Sequence, residues 1–222
     1  MSLLGSRGAI PSATGSRALS WVERALAAIA VMTLGTWLLA RIDSAAFQSK
    51  EGRRLDVLTR ALIPRSHRPA VAVNTRKSIA LDGLIGRIEI PRLDLAAIVA
   101  EGVDARTLRR SVGHLPETAL PGEPGNVVLA GHRDSFFSRL KDIKKGDRVL
   151  LKTPDGVFRY EVESQEIVSP ARTEVLKASA APRLTLITCY PFWYIGSAPK
   201  RFIVRASAAP DSSKIGDKVD SP

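Results

Sequence analysis

The chain has 222 residues, of which 45% are hydrophobic and 25% are charged. This is the composition of a globular protein and excludes a wholly disordered chain. A chain of this length forms one domain with appendages, or two small domains. Its single cysteine, Cys189, excludes an internal disulfide bond.

The net charge of +11 lies mainly in the N-terminal third of the chain. Residues 1–80 hold twelve Lys and Arg against four acidic residues, whereas residues 81–222 hold twenty-one against eighteen. A nucleic-acid-binding domain would carry its excess positive charge on the folded part. The distribution therefore speaks against a nucleic-acid partner and favours a basic segment close to a membrane.

An uncharged apolar segment, residues 25–40, follows a polar N-terminal tail, residues 1–24. Sixteen residues fall slightly short of the roughly 17–25 that span a bilayer. The apolar residues before it, Trp21 and Val22, and the snorkelling side chains of Arg24 and Arg41 supply the missing length. The pattern favours an uncleaved transmembrane anchor. The alternatives are a buried core helix and a signal peptide with a cleavage site at residues 44–46.

Charge counting leaves the topology of this anchor open. The C-terminal flank carries five basic residues and the N-terminal flank three, which favours a cytoplasmic C-terminus. Long domains, however, are translocated largely regardless of charge. Residues 41–82 remain basic and predict a tether, partly helical around residues 55–62. This tether either lies near anionic lipid headgroups or is a solvated linker.

From residue 83 to 209 the chain predicts short strands. Apolar or alternating runs are bounded by glycine and proline, at residues 86–90, 96–100, 127–130, 148–152, 157–168, 184–188 and 202–206. Asp104 predicts the start of a helix with Leu108 and Val112 on one face, and residues 138–143 predict a second short helix. Some seven strands without a βαβ rhythm indicate a closed or nearly closed β-barrel. The tail, residues 210–222, is expected to be disordered.

Three reactive side chains stand at the ends of such runs. His132 and Cys189 each end one, and Arg201 begins another. A cysteine thiolate is a nucleophile, a histidine can act as its base or counter-charge, and an arginine can stabilise negative charge on a carbonyl oxygen. Each residue alone has a structural explanation, as a core thiol, a loop histidine or a solvated strand-end charge. Together they favour a thiol acyl-transfer enzyme.

Two motifs extend this interpretation. Ala-Gly-His-Arg-Asp at residues 130–134, and Thr-Leu-Ile-Thr-Cys-Tyr-Pro-Phe at residues 185–192 with Arg201 downstream, resemble the signatures of the sortases, bacterial cysteine transpeptidases. The Tyr-Pro-Phe is similar to class D members and their proteobacterial relatives. The resemblance covers about residues 84–207. It implies an all-β fold, an eight-stranded closed β-barrel with short helices, preceded by an N-terminal transmembrane helix.

The resemblance also implies residue roles and a location. His132, Cys189 and Arg201 match the catalytic residues of the family, and Thr188, Tyr190 and Phe192 are expected to bind substrate. Lys200 is a second candidate for the oxyanion role, and His114 is a rival histidine that lacks a preceding predicted strand. The anchor is expected in the bacterial cytoplasmic (inner) membrane, with the catalytic domain on the extracytoplasmic or periplasmic side.

The implied reaction is cleavage of a Leu-Pro-x-Thr-Gly-like C-terminal sorting signal by Cys189, followed by transfer of the acyl group to an amine. The expected partners are secreted substrate proteins, an amine acceptor on cell wall or protein, and membrane lipids. No cofactor is expected, since neither a carboxylate cluster for calcium nor a zinc spacing is present. The alternatives are a thiol peptidase with water as acceptor, and a non-enzymatic membrane-tethered module with an inert Cys189.

Overall fold

The computed structural model of the chain describes residues 13–62, 83–194 and 196–209. The predicted disordered tail, the first half of the N-terminal tail (residues 1–12) and the part of the tether from residue 63 to 82 lie outside these residues. The chain divides into two compact units, residues 1–43 and residues 44–222. The second unit carries the strands and the predicted site.

A single long helix, α1, runs from Ala13 to Leu62. Its stretch Leu19–Val57 contains an 18-residue window of mean hydropathy 1.8, so the helix is long and apolar enough to cross a bilayer. The apolar side chains in the first unit are mostly exposed, among them Leu26, Ile29, Val31, Met32 and Leu34. The helix is therefore a candidate membrane span, as the sequence predicts. It extends through residues 41–62, in the segment where the sequence predicts a basic tether that is partly helical around residues 55–62.

The part of α1 within the second unit packs on the strands. Gln48 Oε1 accepts a hydrogen bond from the amide of Ile98 at 2.8 Å, and its Nε2 donates to the carbonyl of Arg110 at 2.7 Å. Leu55 is only 2% exposed. Polar pairing and apolar burial thus hold residues 48–55 against the domain that follows.

Eight strands form a closed barrel in the order β1-β2-β3-β4-β7-β8-β6-β5, with β5 pairing back onto β1. Their bounds are β1 Leu84–Ile90, β2 Leu95–Glu101, β3 Val112–His114, β4 Asn126–Ala130, β5 Arg148–Thr153, β6 Gly156–Val168, β7 Arg183–Tyr190 and β8 Lys200–Ala208. The pairs β2–β3 and β4–β7 are parallel and the others antiparallel. The predicted all-β barrel is confirmed.

Period-two alternation separates the two faces of the barrel wall. The inner face of β7 and β8 contributes Leu184, Leu186 and Val204 to the main core, where each is fully buried. The outer face contributes Ile203 to a second, smaller cluster with Val168 and Val175. Leu176 and Ile187 pack against this outer cluster and remain partly exposed.

Strand β3 was not predicted, because the spacing of Leu108 and Val112 predicted a helix that includes Val112. Helix α2, Ala105–Arg110, does begin at Asp104, whose carboxylate accepts from the amides of Arg106 and Thr107. It ends before Val112, which lies in β3 and pairs with β2 on one side, while β3 pairs with β4 on the other. Ladder hydrogen bonds to two strands outweigh the local helical pattern. The second predicted helix is a 3₁₀ helix, Ser138–Asp142.

Candidate active site

Cys189 and Arg201 face each other across the antiparallel pair β7–β8. Directly opposed residues have their side chains on the same face, with Cβ atoms about 4.5–5.5 Å apart. Alternation along β7 places Cys189 on the outer face with Ile187, and alternation along β8 places Arg201 there with Ile203. The thiol is half-buried. The strand register therefore aligns the thiol and the guanidinium on one surface.

His132 follows the parallel strand β4, which ends at Ala130. Ala130 pairs with Ile187, and the amide of Gly131 donates to the carbonyl of Ile187 at 3.1 Å. His132 stands two residues beyond Ala130, as Cys189 stands two residues beyond Ile187, and the side chain of His132 is exposed. The β4–β7 pairing thus brings the backbone of His132 to the end of the ladder at which β7 carries Cys189.

The turn after His132 depends on a close backbone approach. A Cβ atom at Gly131 would lie 2.8 Å from the ring of Phe137, which is fully buried. The carbonyl of His132 accepts a hydrogen bond from the amide of Phe137 at 3.0 Å. Glycine at 131 therefore allows the chain to leave β4 over the Phe137 ring and to fix the backbone that carries the imidazole.

The guanidinium of Arg201 is oriented by the loop that precedes it. Its Nη1 donates to the carbonyls of Ala198 and Lys200, at 3.2 and 3.0 Å. The planar group carries further N–H donors on Nη2 and Nε. Lys200 pairs with Tyr190, and alternation turns its side chain to the opposite face from Cys189. The register thus favours Arg201 over Lys200 as the cation beside the thiol.

The residues predicted to bind substrate occupy other places. Thr188 is 2% exposed, and its hydroxyl donates to the carbonyl of Gly131 at 2.7 Å. Tyr190 and Phe192 pack against Phe202, with ring centroids 6.4 and 5.3 Å from its ring. The two aromatic residues also line an open groove of about 410 Å³ with Trp193 and Ile167. The structure does not bring Thr188, Tyr190 or Phe192 to the outer face that carries Cys189, and the role of these three residues in substrate binding stays a prediction.

A small apolar surface lies beside Cys189 and was not predicted from the sequence. It consists of Ile187 and Leu176, which pack on the buried residues Val168, Val175 and Ile203. Leu176 belongs to the β6–β7 loop, residues 169–182, which contains the 3₁₀ helix Thr173–Leu176. We call these five residues the outer-face cluster. Their grouping arises from strand pairing over long sequence distances, which no local pattern reveals.

Asn126 holds this loop against the barrel. Its Nδ2 donates to the carbonyls of Val175 and Lys177, both at 3.3 Å, and its Oδ1 accepts from the hydroxyl of Thr185 at 2.8 Å. Asn126 is 5% exposed. The only sequence signal for it is a polar residue that opens an otherwise apolar run.

The rival histidine, His114, is enclosed by the fold. It is 1% exposed, its Nδ1 lies 2.7 Å from the Glu101 carboxylate, and its Nε2 lies 3.0 Å from the carbonyl of Ala119. Contrary to the sequence expectation it does end a strand, β3. Both ring nitrogens are occupied by partners within the barrel, which fits a structural residue. Among the residues that the structure describes, no cluster of three His, Cys, Asp or Glu side chains could hold a metal ion.

The similarity to known proteins covers the part of the chain that forms the barrel. Residues 88–209 match the family model of the Sortase domain. The chain is 40% identical over 120 residues to "Sortase D" of Bacillus subtilis, a match that covers 54% of this chain and 61% of that protein. It is 30% identical over 140 residues to "Sortase A" of Bacillus anthracis, covering 61% of this chain and 65% of that protein. The matched stretch thus spans somewhat under two thirds of these curated relatives.

Solved structures show the same likeness. A Sortase D5 transpeptidase of Clostridium perfringens aligns with a TM-score of 0.55 and 26% identity, covering 70% of this chain and 98% of that chain. A sortase C of Clostridium perfringens, solved with a C-terminal cell wall sorting motif, aligns with a TM-score of 0.53 and 30% identity, covering 57% of this chain and 71% of that one.

Proposed function

Since this chain belongs to the sortase family, we propose that it is a membrane-anchored cysteine transpeptidase that cleaves a C-terminal sorting signal. The observation that supports the proposal is the pairing of Cys189 with Arg201 in the β7–β8 register, with His132 following β4 at the same end of the β4–β7 ladder. Paired strands hold the backbones of Cys189 and Arg201 rigidly, and the exposed His132 leaves this end of the ladder accessible to a peptide.

In the proposed reaction the Cys189 thiolate attacks the carbonyl carbon of the scissile peptide bond. Negative charge develops on the carbonyl oxygen, and the permanent charge of Arg201 stabilises it. The C–N bond then breaks as His132 gives a proton to the leaving amine. A thioester to Cys189 remains. An incoming amine attacks this thioester and passes a proton to His132. The C–S bond breaks, so the acyl group is now bonded to the amine and the Cys189 thiolate is regenerated.

The outer-face cluster is the proposed contact for the apolar residues of the signal. Ile187 stands two positions before Cys189 on the same face, so a bound peptide that reaches the thiol also passes over Ile187 and Leu176. A Leu-Pro-x-Thr-Gly-like sequence would supply an apolar side chain of suitable size. The sortase C of Clostridium perfringens was solved with a sorting motif, which supports this substrate class.

The class and the location form part of the same proposal. The 40% identity to a Sortase D supports a class D-like enzyme. The two Bacillus relatives and the Clostridium structures give no support to the proteobacterial subclass expected from the Tyr-Pro-Phe motif. An enzyme that cleaves a sorting signal on a secreted protein acts after that protein has crossed the membrane. The barrel is therefore proposed on the extracytoplasmic side of the cytoplasmic membrane, with α1 as a single-pass anchor and lipids around it.

The test uses the full chain with a sorting-signal peptide, in the presence and absence of a glycine-type amine. The wild type should form a thioester adduct on Cys189, visible as a mass increase, and should ligate the amine. Cys189→Ala should do neither while keeping its circular dichroism spectrum. Cleavage retained by Cys189→Ala would refute the proposal. Cleavage without ligation would instead favour the thiol peptidase, and a thiol that reacts with alkylating reagents only after denaturation would favour the non-enzymatic module.

A further inference from the structure

Arg133, the residue after His132, connects the histidine segment to the β7–β8 loop, of which the structure describes residues 191–194 and 196–199. Its Nη2 donates to the carbonyl of Tyr194 and, at 3.0 Å, to the carbonyl of Gly196. Its guanidinium carbon lies 5.8 Å from the centre of the Tyr194 ring. This loop joins the strand of Cys189 to the strand of Arg201. One side chain therefore links the segments that carry all three proposed catalytic residues.

The same loop is held from its other side by Arg201, whose Nη1 donates to the carbonyls of Ala198 and Lys200. Arg133 thus binds carbonyls in the first half of the loop, and Arg201 binds carbonyls at the point where the loop enters β8. On the histidine side, Gly131 is fixed to β7 by backbone and side-chain hydrogen bonds. A displacement of the β7–β8 loop would therefore change the relation of His132 to both Cys189 and Arg201.

The environment of Arg133 indicates more than a surface contact. Its Nη1 is buried, and among the described residues it has no hydrogen-bond partner. Buried donors without a partner are uncommon in native proteins, and each one calls for an explanation. A guanidinium can donate to two carbonyls with one planar group while it stacks on an aromatic ring, which a lysine ammonium cannot reproduce.

We infer that Arg133 is a positioning residue for the acyl-transfer reaction: by holding the β7–β8 loop it sets His132 in place to protonate the leaving amine. This inference rests on the proposed function, in which His132 is that proton donor. It predicts a defect confined to the step in which a proton reaches the leaving group. Substrate binding and the attack of Cys189 should be much less affected.

The experiment compares a sorting-signal peptide with its matched ester, in which an oxygen replaces the scissile nitrogen. An ester leaving group depends less on protonation than an amine does. In the full chain, Arg133→Ala should lower kcat on the amide by about a hundredfold, within the range of general-acid contributions. It should lower kcat on the ester far less, with KM close to wild type on both. Arg133→Lys should restore only part of the amide rate.

Two further variants make the result specific. Adding Arg133→Ala to His132→Ala should cost little beyond His132→Ala alone, because the positioned group is already absent. Arg139→Ala is the matched control, since Arg139 also donates to a backbone carbonyl, that of Leu93, but at an exposed site on the barrel. It should keep both rates.

An equal loss on amide and ester, a change in KM alone, or full additivity with His132→Ala would overturn the inference. If Arg133→Ala does not fold, the amide-to-ester ratio of Arg133→Lys decides in the same way. Wild-type cleavage that requires Cys189 upholds the proposed function whatever Arg133 does. A ratio unchanged by Arg133 variants would then overturn this inference alone, whereas full activity of Cys189→Ala would overturn both.

Discussion

The hydroxyl of Thr188 donates a 2.7 Å hydrogen bond to the carbonyl of Gly131, and this bond joins the residue before the thiol to the residue before the imidazole. Thr188 is buried and points to the inner side of the barrel wall. The contact acts across the parallel pair β4–β7 where that ladder ends. It ties the backbone of the histidine to the backbone of the nucleophile.

Replacing Thr188 with valine should remove this bond at nearly constant volume. The buried carbonyl of Gly131 would lose a partner, so we expect the free energy of unfolding to fall by about 1–3 kcal/mol. Misplacement of His132 should lower kcat by about tenfold to a hundredfold. Urea unfolding and peptide cleavage measure the two effects. Thr188→Ser should retain most of the activity, and a fully active Thr188→Val would contradict the proposed linkage.

Arg201→Lys should not behave as a conservative change. A lysine ammonium cannot donate to the Ala198 and Lys200 carbonyls while presenting a planar fork to the substrate. We expect kcat to fall by about a hundredfold to a thousandfold, as for the loss of one oxyanion donor. Steady-state kinetics with a sorting-signal peptide measures it. Lys200→Ala, whose side chain turns to the other face, should stay near the wild-type rate. The reverse order would assign the oxyanion role to Lys200.

Asn126→Ala should act on substrate binding rather than on the chemical step. Without the Asn126 side-chain amide, the carbonyls of Val175 and Lys177 lose their hydrogen bonds to β4. The β6–β7 loop, which contributes Val175 and Leu176 to the outer-face cluster, is then held less firmly against the barrel. We expect KM to rise by about tenfold, which corresponds to the loss of about one hydrogen bond, with kcat much less affected. Thr185→Val, which removes only the hydroxyl that Asn126 accepts from, should change KM in the same direction but less. A fall in kcat at constant KM would argue against a binding role.

Asp147 gives the fold an acid-sensitive contact. Hydrogen bonds from Arg92 hold the pKa of the buried Asp147 carboxyl below its usual value, and the amide of Lys144 acts in the same direction, against the effect of burial. A lowered pKa adds stability that is present above the unfolded-state value of about 3.9 and is lost as the pH falls toward the folded-state value.

Thermal melting as a function of pH tests this contact. Asp147→Asn should lower the midpoint at neutral pH and flatten its decline below about pH 5. Asp134→Asn, at an exposed position, should leave the profile of the wild type unchanged. If the melting midpoint falls equally steeply with decreasing pH in Asp147→Asn and in the wild type, the Asp147 carboxyl does not contribute to the acid sensitivity of the fold.

Much of the barrel could be predicted because its strands are apolar or alternating runs bounded by glycine and proline. The capping role of Asp104 was equally local, since an aspartate at that position accepts the first free amides of its helix. Val112 was misassigned because its strand consists of three residues that gain stability only from two neighbouring strands. Residues 41–82 were expected to be a basic tether, and the partners of Gln48 on β2 and α2 could not be foreseen, because no local pattern contains them.

The sequence by itself determined which chemistry the chain carries: a thiol, an imidazole and a guanidinium, each next to a run that folds as a strand. Only the tertiary structure decided which side chains share a face, because register follows from pairing between strands distant in sequence. That register set Arg201 rather than Lys200 opposite Cys189, and enclosed His114 while leaving His132 exposed. It also joined Arg133 to the β7–β8 loop, a contact between residues about sixty positions apart.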